Sequence, residues 1–298
     1  MTQSQNADIG VHSTSARSTL EKLRGVFILV VILGAAFYVA ILGYMYINQQ
    51  SLLFKPDGEL PDPIDVGLAD VNVVSTTMSD GVELTAWSAP PTLDDAPTVL
   101  FFHGQSGNLG DRADRMNEIL NSGFGLFAPS YRGYPGSQGE PSELALIADG
   151  IQMYDGLKSS GANIVLHGQS LGTAVAAAVA EKRPDAQLLI LEAPFTATVD
   201  VAGERYPWLP VSLLMRDQFA TRDFMADITV PTLIFHGTED ETVPVDHAEA
   251  LAGLAGDTAT LHVVAGGTHN DLWAHGLWDD VQNSLPGNQG QSNPTQDQ

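Results

Sequence analysis

Ser170 stands within a Gly-x-Ser-x-Gly pentapeptide whose surroundings make it a candidate nucleophile. An apolar run at residues 164–166 precedes Gly168, and an Ala-rich segment follows Gly172. This pattern predicts a strand, a tight turn and a helix, because glycines on both sides of the serine allow backbone and helix to approach where a Cβ would clash. The serine hydroxyl is then expected to project above the sheet edge at the N-terminus of the helix.

A serine hydroxyl becomes an effective nucleophile when a base, an acid that orients the base and donors for the developing oxyanion surround it. His269 is the candidate base, since it follows a predicted strand and two glycines that would let its ring lie over Ser170. The acid is expected in the loop after the preceding predicted strand, where Glu239, Asp240 and Glu241 lie side by side. The residues alone leave the choice among these three carboxylates open.

A second strand end supplies a candidate oxyanion hole. The apolar run at residues 98–102 is followed by small residues, among them Gly104 and Gly107, which allow backbone N–H groups to point into a site. The N–H of Gln105, together with that of Leu171, is expected to bind the oxyanion of a tetrahedral intermediate. An ordinary glycine-rich loop is the alternative interpretation.

Four other histidines and one arginine are considered, and three of these five residues have structural interpretations. His103 is expected to structure its loop and His167 to pack beneath the loops, while His262, on a strand, and His275, on the last helix, are weaker candidates for the base. Arg132 could bind a substrate carboxylate, but a structural salt bridge is favoured. Because no His-x-x-x-His pair or dense carboxylate cluster accompanies His103 or His167, we predict no metal; we also predict no cofactor.

These residues must be positioned by the elements that lie between them. Short apolar runs predict strands at residues 71–76, 82–87, 98–102, 125–128, 164–166, 188–191, 232–235 and 261–264. Helices are predicted at residues 112–121, 143–157, 246–255 and 271–283. After an opening antiparallel pair, strand–helix alternation with fully apolar strands predicts a mostly parallel sheet with helices on both faces. Ligands bind beyond the C-terminal ends of such strands, which is where the candidate residues lie.

The N-terminal part of the chain contains a long apolar segment. Residues 25–47 carry no charge and would form a helix ~34 Å long, enough to cross the hydrocarbon core of a membrane. We predict a transmembrane anchor; a cleaved signal peptide is the alternative, disfavoured by the length of the apolar run. Arg17, Lys22 and Arg24 precede the span and only Lys55 follows closely, so the N-terminus is predicted to be cytoplasmic and the rest of the chain periplasmic or otherwise extracytoplasmic.

The remaining organisation follows from composition. We expect a disordered polar tail over residues 1–24, a semi-extended stem over 48–65, a folded domain over 66–283 and a disordered tail over 284–298. The 298-residue chain has a formal net charge of −23, which argues against nucleic acid and anionic membrane surfaces as partners. It has no cysteine, which excludes disulfides and thiolate chemistry. Nothing in the sequence indicates an oligomeric state.

Six motifs occur in order between residues 50 and 278: FFHG followed by GN, YRGY followed by GS and PSE, GQSLG, LEAPFT, HGTEDETVP and GGTHND. Together they resemble the α/β-hydrolase superfamily, and within it the Bem46-like, membrane-anchored serine hydrolases related to ABHD13 and ABHD17. The resemblance implies the α/β-hydrolase fold, with Ser170 as nucleophile, Asp240 as acid and His269 as base. It also implies a short lid at residues 196–229 and a fairly open site. Gln105 departs from the family pattern, in which Asn is usual, but its expected contribution is a backbone N–H.

The sequence therefore predicts a membrane-anchored serine hydrolase. It would cleave carboxylic ester or thioester bonds of a small-molecule or acylated substrate through an acyl-enzyme intermediate, with no cofactor. A serine peptidase or amidase of the same fold is one alternative. A non-catalytic binding module tethered to the membrane is another.

Overall fold

A computed structural model describes residues 12–285 of the chain. These residues divide into two compact units, one ending at Gln49 and the other beginning at Gln50. The described part of the first unit is helical, whereas the second unit contains the strands and all of the candidate site residues.

The N-terminal helix α1 runs over His12–Leu53 and contains the predicted span. Among the described residues it is the one helix long and apolar enough to cross a membrane, since an 18-residue window within Thr19–Leu53 has a mean hydropathy of 2.8. The helix continues beyond both ends of residues 25–47, so the predictions of disorder before the span and of an irregular stem after it are wrong for residues 12–24 and 48–53. Those flanks contain neither Gly nor Pro, and the helix therefore propagates through them. Residues 1–11 of the predicted tail lie outside the described residues.

Within the described residues, an eight-stranded sheet and a two-stranded sheet form in the second unit. The strands are β1 (Lys55–Pro56), β2 (Asn72–Thr77), β3 (Glu83–Ala89), β4 (Thr98–Phe102), β5 (Ser106–Gly107), β6 (Gly125–Pro129), β7 (Ile164–Gln169), β8 (Leu188–Glu192), β9 (Thr232–Gly237) and β10 (Ala259–Val264). The order across the large sheet is β10-β9-β8-β7-β4-β6-β3-β2. In this sheet β3 alone runs opposite to the other strands, which confirms the predicted antiparallel opening and mostly parallel sheet.

Helices cover both faces of the large sheet. After α1 they are α2 (Ala113–Asn121), α3 (Glu143–Ser159), α4 (Leu171–Lys182), α5 (Thr198–Arg205), α6 (Val211–Leu214), α7 (Arg222–Met225), α8 (Asp246–Ala255) and α9 (Leu277–Ser284). In β4, Leu100 and Phe102 belong to one core with residues of α3, α4 and α8, whereas Val99 and Phe101 belong to a second core with residues of α2 and α9. Every residue of β4, β7, β8 and β9 is buried, as expected for strands covered on both faces.

The chain between α1 and β2 is fixed to the sheet domain. Phe54 is buried, and its ring lies edge-on to that of Phe219 with 6.0 Å between centroids. The next two residues form β1, which pairs with β5, and the Lys55 N–H donates to the Gln105 carbonyl over 2.9 Å. The prediction of a semi-extended spacer over residues 48–65 is therefore also wrong for residues 54–56. The Phe54 side chain is buried, and the backbone of the next two residues pairs with β5.

The C-terminal part also differs from the prediction. The helix predicted at residues 271–283 is divided into a 3-10 turn, Leu272–His275, and α9. The division occurs at Gly276, whose φ of 86° lies in the left-handed region that glycine adopts without strain. Ser284 belongs to α9 and Leu285 is buried, so the predicted disordered tail is wrong for these two residues. The rest of that tail lies outside the described residues.

Candidate active site

Ser170 lies in the tight turn between β7 and α4, with φ 50° and ψ −116°. A positive φ is strained for a residue with a Cβ, and the surrounding contacts must maintain it. A Cβ on Gly168 would lie 2.6 Å from the Thr173 Cα, and one on Gly172 would overlap the Phe102 carbonyl. These close backbone approaches explain why glycines flank the serine, as the pentapeptide pattern predicted.

The structure brings Ser170, His269 and Asp240 together. The Oγ of Ser170 lies 2.9 Å from Nε2 of His269, and Nδ1 of the same ring lies 2.7 Å from Oδ2 of Asp240. The Asp240 side chain is fully buried, whereas Glu239 and Glu241 on either side of it are exposed. The geometry therefore favours the carboxylate that the family resemblance implied over its two neighbours.

The Asp240 carboxylate accepts four hydrogen-bond contacts. Its Oδ1 accepts the N–H groups of Thr242 and Val243 at 2.8 and 2.9 Å. Its Oδ2 faces His269 and, at 3.3 Å, Nε2 of His236. Burial alone would raise the pKa of Asp240, but the hydrogen bonds from His236, His269 and the backbone outweigh it and hold the pKa well below its usual range. The carboxylate is thus ionised at neutral pH and can orient an imidazole.

The acid and base loops pack against each other because they follow neighbouring strands. β9 and β10 pair in parallel, which brings their C-terminal loops to the same sheet edge. A Cβ on Gly237 would overlap the Gly267 carbonyl, and the Glu239 N–H donates to that same carbonyl over 2.9 Å. The glycines before His269 therefore serve close packing as well as the predicted freedom of the loop.

The predicted oxyanion loop lies beside Ser170. A Cβ on Gly104 would lie 3.5 Å from that of Ser170, so the backbone before Gln105 passes next to the serine. Leu171 is the first residue of α4, where a backbone N–H has no partner within its helix. The Gln105 carbonyl accepts the N–H of Lys55 at 2.9 Å, and it also accepts the hydroxyl of Tyr134 at 2.5 Å.

Two residues beneath this loop have supporting roles. His103 is fully buried, and its ring packs on Tyr131 with 3.9 Å between centroids. Burial, with a smaller effect from the positive charge of Arg112, lowers the pKa of His103 to about 3, so the ring is neutral. Arg112, which sequence reasoning missed, donates to the carbonyls of Ser106 and Asn108 at 2.6 and 2.9 Å. These contacts bear out the loop-structuring expectation for His103 and add an arginine to it.

The other polar residues considered in the sequence are engaged elsewhere. Arg132 forms a bidentate ion pair with Asp149 through two contacts of 2.6 Å, which bears out the structural interpretation. His262 stacks on Phe235, and His275 lies 3.9 Å from Asp271. No cluster of three or more His, Asp or Glu side chains suited to a metal ion occurs within residues 12–285.

His167 packs beneath the loops as expected, but its environment contains a buried charge that sequence reasoning missed. Its Nε2 lies 3.2 Å from Oε2 of Glu192, and both side chains are fully buried. Arg115 and Trp273 also donate to Glu192, at 2.9 and 2.8 Å. A charged residue at the end of the apolar run LLILE was the available signal, because a carboxylate in a buried strand needs partners.

Open depressions flank these loops. One of about 550 Å³ adjoins the acid and base and is lined by Thr238, Glu239, Asp240, Glu241, Thr242, Thr268, His269 and Asn270. Another, of about 730 Å³, lies between α8 and the segment that contains α5, α6 and α7. Neither depression includes Ser170 in its lining, so neither defines an acyl pocket.

The sheet order and the strand–turn–helix around Ser170 define an α/β hydrolase, and comparisons with known proteins agree. Residues 95–222 match the family model described as "Serine aminopeptidase, S33". The chain is 31% identical over 250 residues to protein bem46 of Schizosaccharomyces pombe, covering 77% of this chain and 83% of that protein. It is 33% identical over 221 residues to the α/β-hydrolase domain-containing protein WAV2 of Arabidopsis thaliana, covering 66% of this chain and 72% of WAV2.

Solved structures agree on the fold. The Pyrococcus furiosus esterase Pf2001 superposes with a TM-score of 0.62 at 17% identity, covering 77% of this chain and 95% of the esterase. At this identity the likeness concerns the fold alone. With the relatives above, it establishes that the chain belongs to the α/β-hydrolase family, among its Bem46-like members.

Proposed function

We propose that this protein is a membrane-anchored serine hydrolase that cleaves carboxylic ester or thioester bonds through an acyl-enzyme intermediate. The observation that carries the proposal is the hydrogen-bonded series Ser170–His269–Asp240, with contacts of 2.9 and 2.7 Å. These are the distances at which a base can take a proton from a nucleophile while an acid holds the base.

In the proposed mechanism, Ser170 Oγ attacks the substrate carbonyl carbon while Nε2 of His269 takes the hydroxyl proton. The carbonyl oxygen becomes an oxyanion, which the N–H groups of Gln105 and Leu171 would bind. Asp240 stabilises the imidazolium through Nδ1. The imidazolium then gives its proton to the leaving alcohol or thiol, and the acyl group remains on Ser170. Water, activated by the same imidazole, releases the acid and restores the serine.

The proposal is tested with a fluorophosphonate probe, which reacts covalently with an activated serine. The full chain in detergent should be labelled, and Ser170→Ala should abolish labelling. Ser159→Ala is the matched control, because that serine lies at the end of α3 and donates to a carbonyl of its own helix. Undiminished labelling of the Ser170→Ala protein would refute Ser170 as nucleophile. An unlabelled wild-type protein would instead support a non-catalytic tethered module.

A peptidase or amidase activity is the second candidate, and one observation favours it: the matching family model bears the description of a serine aminopeptidase. The bond type is separated by comparing p-nitrophenyl esters and acyl thioesters with aminoacyl p-nitroanilides at equal concentration. We expect kcat/KM for esters of increasing acyl length to exceed that for every aminoacyl amide by at least 100-fold. A preference for the anilides would assign the peptidase activity.

We further propose that α1 anchors the protein, with the N-terminus in the cytoplasm and the hydrolase domain outside it. The hydropathy of α1 and the excess of Arg17, Lys22 and Arg24 over Lys55 at its flanks support this orientation. In this organisation residues 196–229, with α5, α6 and α7, form a short lid. A reporter that is active only in the cytoplasm, fused after residue 298, should be inactive; an active reporter would reverse the orientation.

A further inference from the structure

We propose that Glu192 and Arg115 are positioning residues that hold the segment after His269, and thereby aim its imidazole at Ser170. This inference rests on the proposed function, because it assigns a role in the same site. It concerns a buried ionic cluster, defined as Glu192, Arg115, His167 and Trp273, which lies under the loops and touches no reacting atom.

Glu192 connects the nucleophile to this cluster. It is the last residue of β8, adjacent to β7, and its backbone carbonyl accepts the N–H of Ser170 at 2.8 Å. Its Oε1 accepts Arg115 at 2.9 Å, and its Oε2 accepts Nε1 of Trp273 at 2.8 Å. The backbone of Glu192 thus supports Ser170, while its side chain binds α2 and the 3-10 turn that follows His269.

Arg115 and Trp273 fix the chain on the far side of His269. The same Arg115 nitrogen that binds Glu192 also donates to the Asn270 carbonyl at 2.8 Å. Trp273 lies four residues after His269, in the 3-10 turn, and is buried by stacking on His167 and on Trp278. Both ends of the short segment 270–273 are therefore attached to the Glu192 carboxylate, the first through Arg115 and the second directly through the Trp273 indole.

The His269 loop needs such attachment. Gly266, with φ 74°, and Gly267 precede the histidine, and this side of the loop is held to the acid loop by the Glu239 N–H, which donates to the Gly267 carbonyl over 2.9 Å. A displacement of about 1 Å between reacting groups lowers a catalysed rate on the order of 100-fold. The buried ionic cluster holds the side of the loop that follows His269, which the contact with the acid loop does not reach.

The charge of Glu192 is essential to this arrangement. Burial alone would raise its pKa, but Arg115, His167 and Trp273 outweigh burial and lower the pKa to about 2. All three partners present donors to the carboxylate. In Glu192→Gln the amide NH₂ must face at least one of these donors, which then loses its acceptor in a buried position.

The test compares Glu192→Gln with Asp149→Asn in the full chain in detergent. Asp149 is also a buried carboxylate paired with an arginine, Arg132, but it lies on α3, which packs on the other face of the sheet. For Glu192→Gln we expect kcat to fall about 100-fold, with KM within threefold of wild type. Asp149→Asn should lose thermal stability but keep kcat within threefold. Amide hydrogen exchange over residues 268–273 should accelerate in Glu192→Gln alone.

Two results would overturn the inference: wild-type kcat in Glu192→Gln, or exchange over residues 268–273 as slow as in wild type. If Glu192→Gln fails to fold, Trp273→Phe removes one donor while keeping an aromatic ring, and kcat should fall about tenfold; an unchanged kcat then refutes the role. If the wild type hydrolyses no substrate, the proposed function fails, while the exchange measurement still decides whether the cluster holds the loop.

Discussion

Replacing Asp240 by Asn is the sharpest test of the site, because the structure dictates which way the new amide must point. The two donors at Oδ1 are backbone N–H groups of Thr242 and Val243, at 2.8 and 2.9 Å, and cannot become acceptors. The amide oxygen of the introduced asparagine must therefore occupy that position. Its NH₂ then lies where Oδ2 now faces Nδ1 of His269 at 2.7 Å.

An NH₂ group facing Nδ1 forces that nitrogen to accept a hydrogen bond. The imidazole proton then moves to Nε2, which lies 2.9 Å from the Ser170 hydroxyl and can no longer take its proton. In a serine protease the corresponding change lowers kcat about 10⁴-fold, or about 5 kcal/mol of transition-state stabilisation. We expect a loss of the same size here, with little change in KM.

The assay is hydrolysis of a p-nitrophenyl ester, with the rate of fluorophosphonate labelling as a second measure of serine reactivity. Glu239→Gln and Glu241→Gln are matched controls, because each removes one negative charge from the same loop at an exposed position. Both should stay within threefold of wild type. An Asp240→Asn protein with kcat within tenfold of wild type, or controls that lose as much, would refute the assigned geometry.

Three further predictions concern the turn, the oxyanion loop and acid stability. Gly172→Ala should lower Tm by more than about 10 °C in thermal unfolding, because the new Cβ would overlap a β4 carbonyl. The control Gly253→Ala, on α8 with open space around the new Cβ, should leave Tm equal or higher. Tyr134→Phe removes the 2.5 Å hydrogen bond to the Gln105 carbonyl and should lower kcat about tenfold at constant KM; unchanged kcat would show that the loop needs no such support. The folded-state pKa of Glu192 is lowered from 4.5 to about 2. Its ionised carboxylate therefore stabilises the folded state by an amount on the order of 3 kcal/mol, which is complete above pH 4.5 and is lost as the pH falls towards 2. Urea unfolding between pH 7 and 2 should show this loss in the wild type and a flatter profile in Glu192→Gln.

The sheet and the Ser–His–Asp arrangement were predictable because their signals are local. A strand buried on both faces must be apolar throughout, and β4 was predicted with its observed bounds for that reason. Ser170 follows such a strand, whereas His269 follows β10 at the edge of the sheet; both lie in glycine-containing loops, and their chain order matches a known family. The choice of Asp240 over Glu239 and Glu241 needed that resemblance, since proximity in sequence does not reveal which carboxylate is buried.

The buried ionic cluster could not be predicted in the same way. Arg115 lies on the amphipathic helix α2, where a single arginine is ordinarily a solvated residue, and Trp273 lies where a continuous helix was expected. Their contacts with Glu192 span 77 and 81 residues in sequence. Such contacts arise from tertiary packing, which periodicity does not encode. The strand β1 could not be predicted for the same reason, because its partner β5 lies in the oxyanion loop, far away in sequence.

That small strand has a practical consequence for producing a soluble form of the protein. A chain cut at residue 66, where composition alone would begin the domain, would lose Phe54 and Lys55, and with them one of the two donors that hold the Gln105 carbonyl. A cut just before Gln50 keeps both and coincides with the start of the compact unit. Purification tags and fusion partners for crystallisation therefore belong upstream of residue 50.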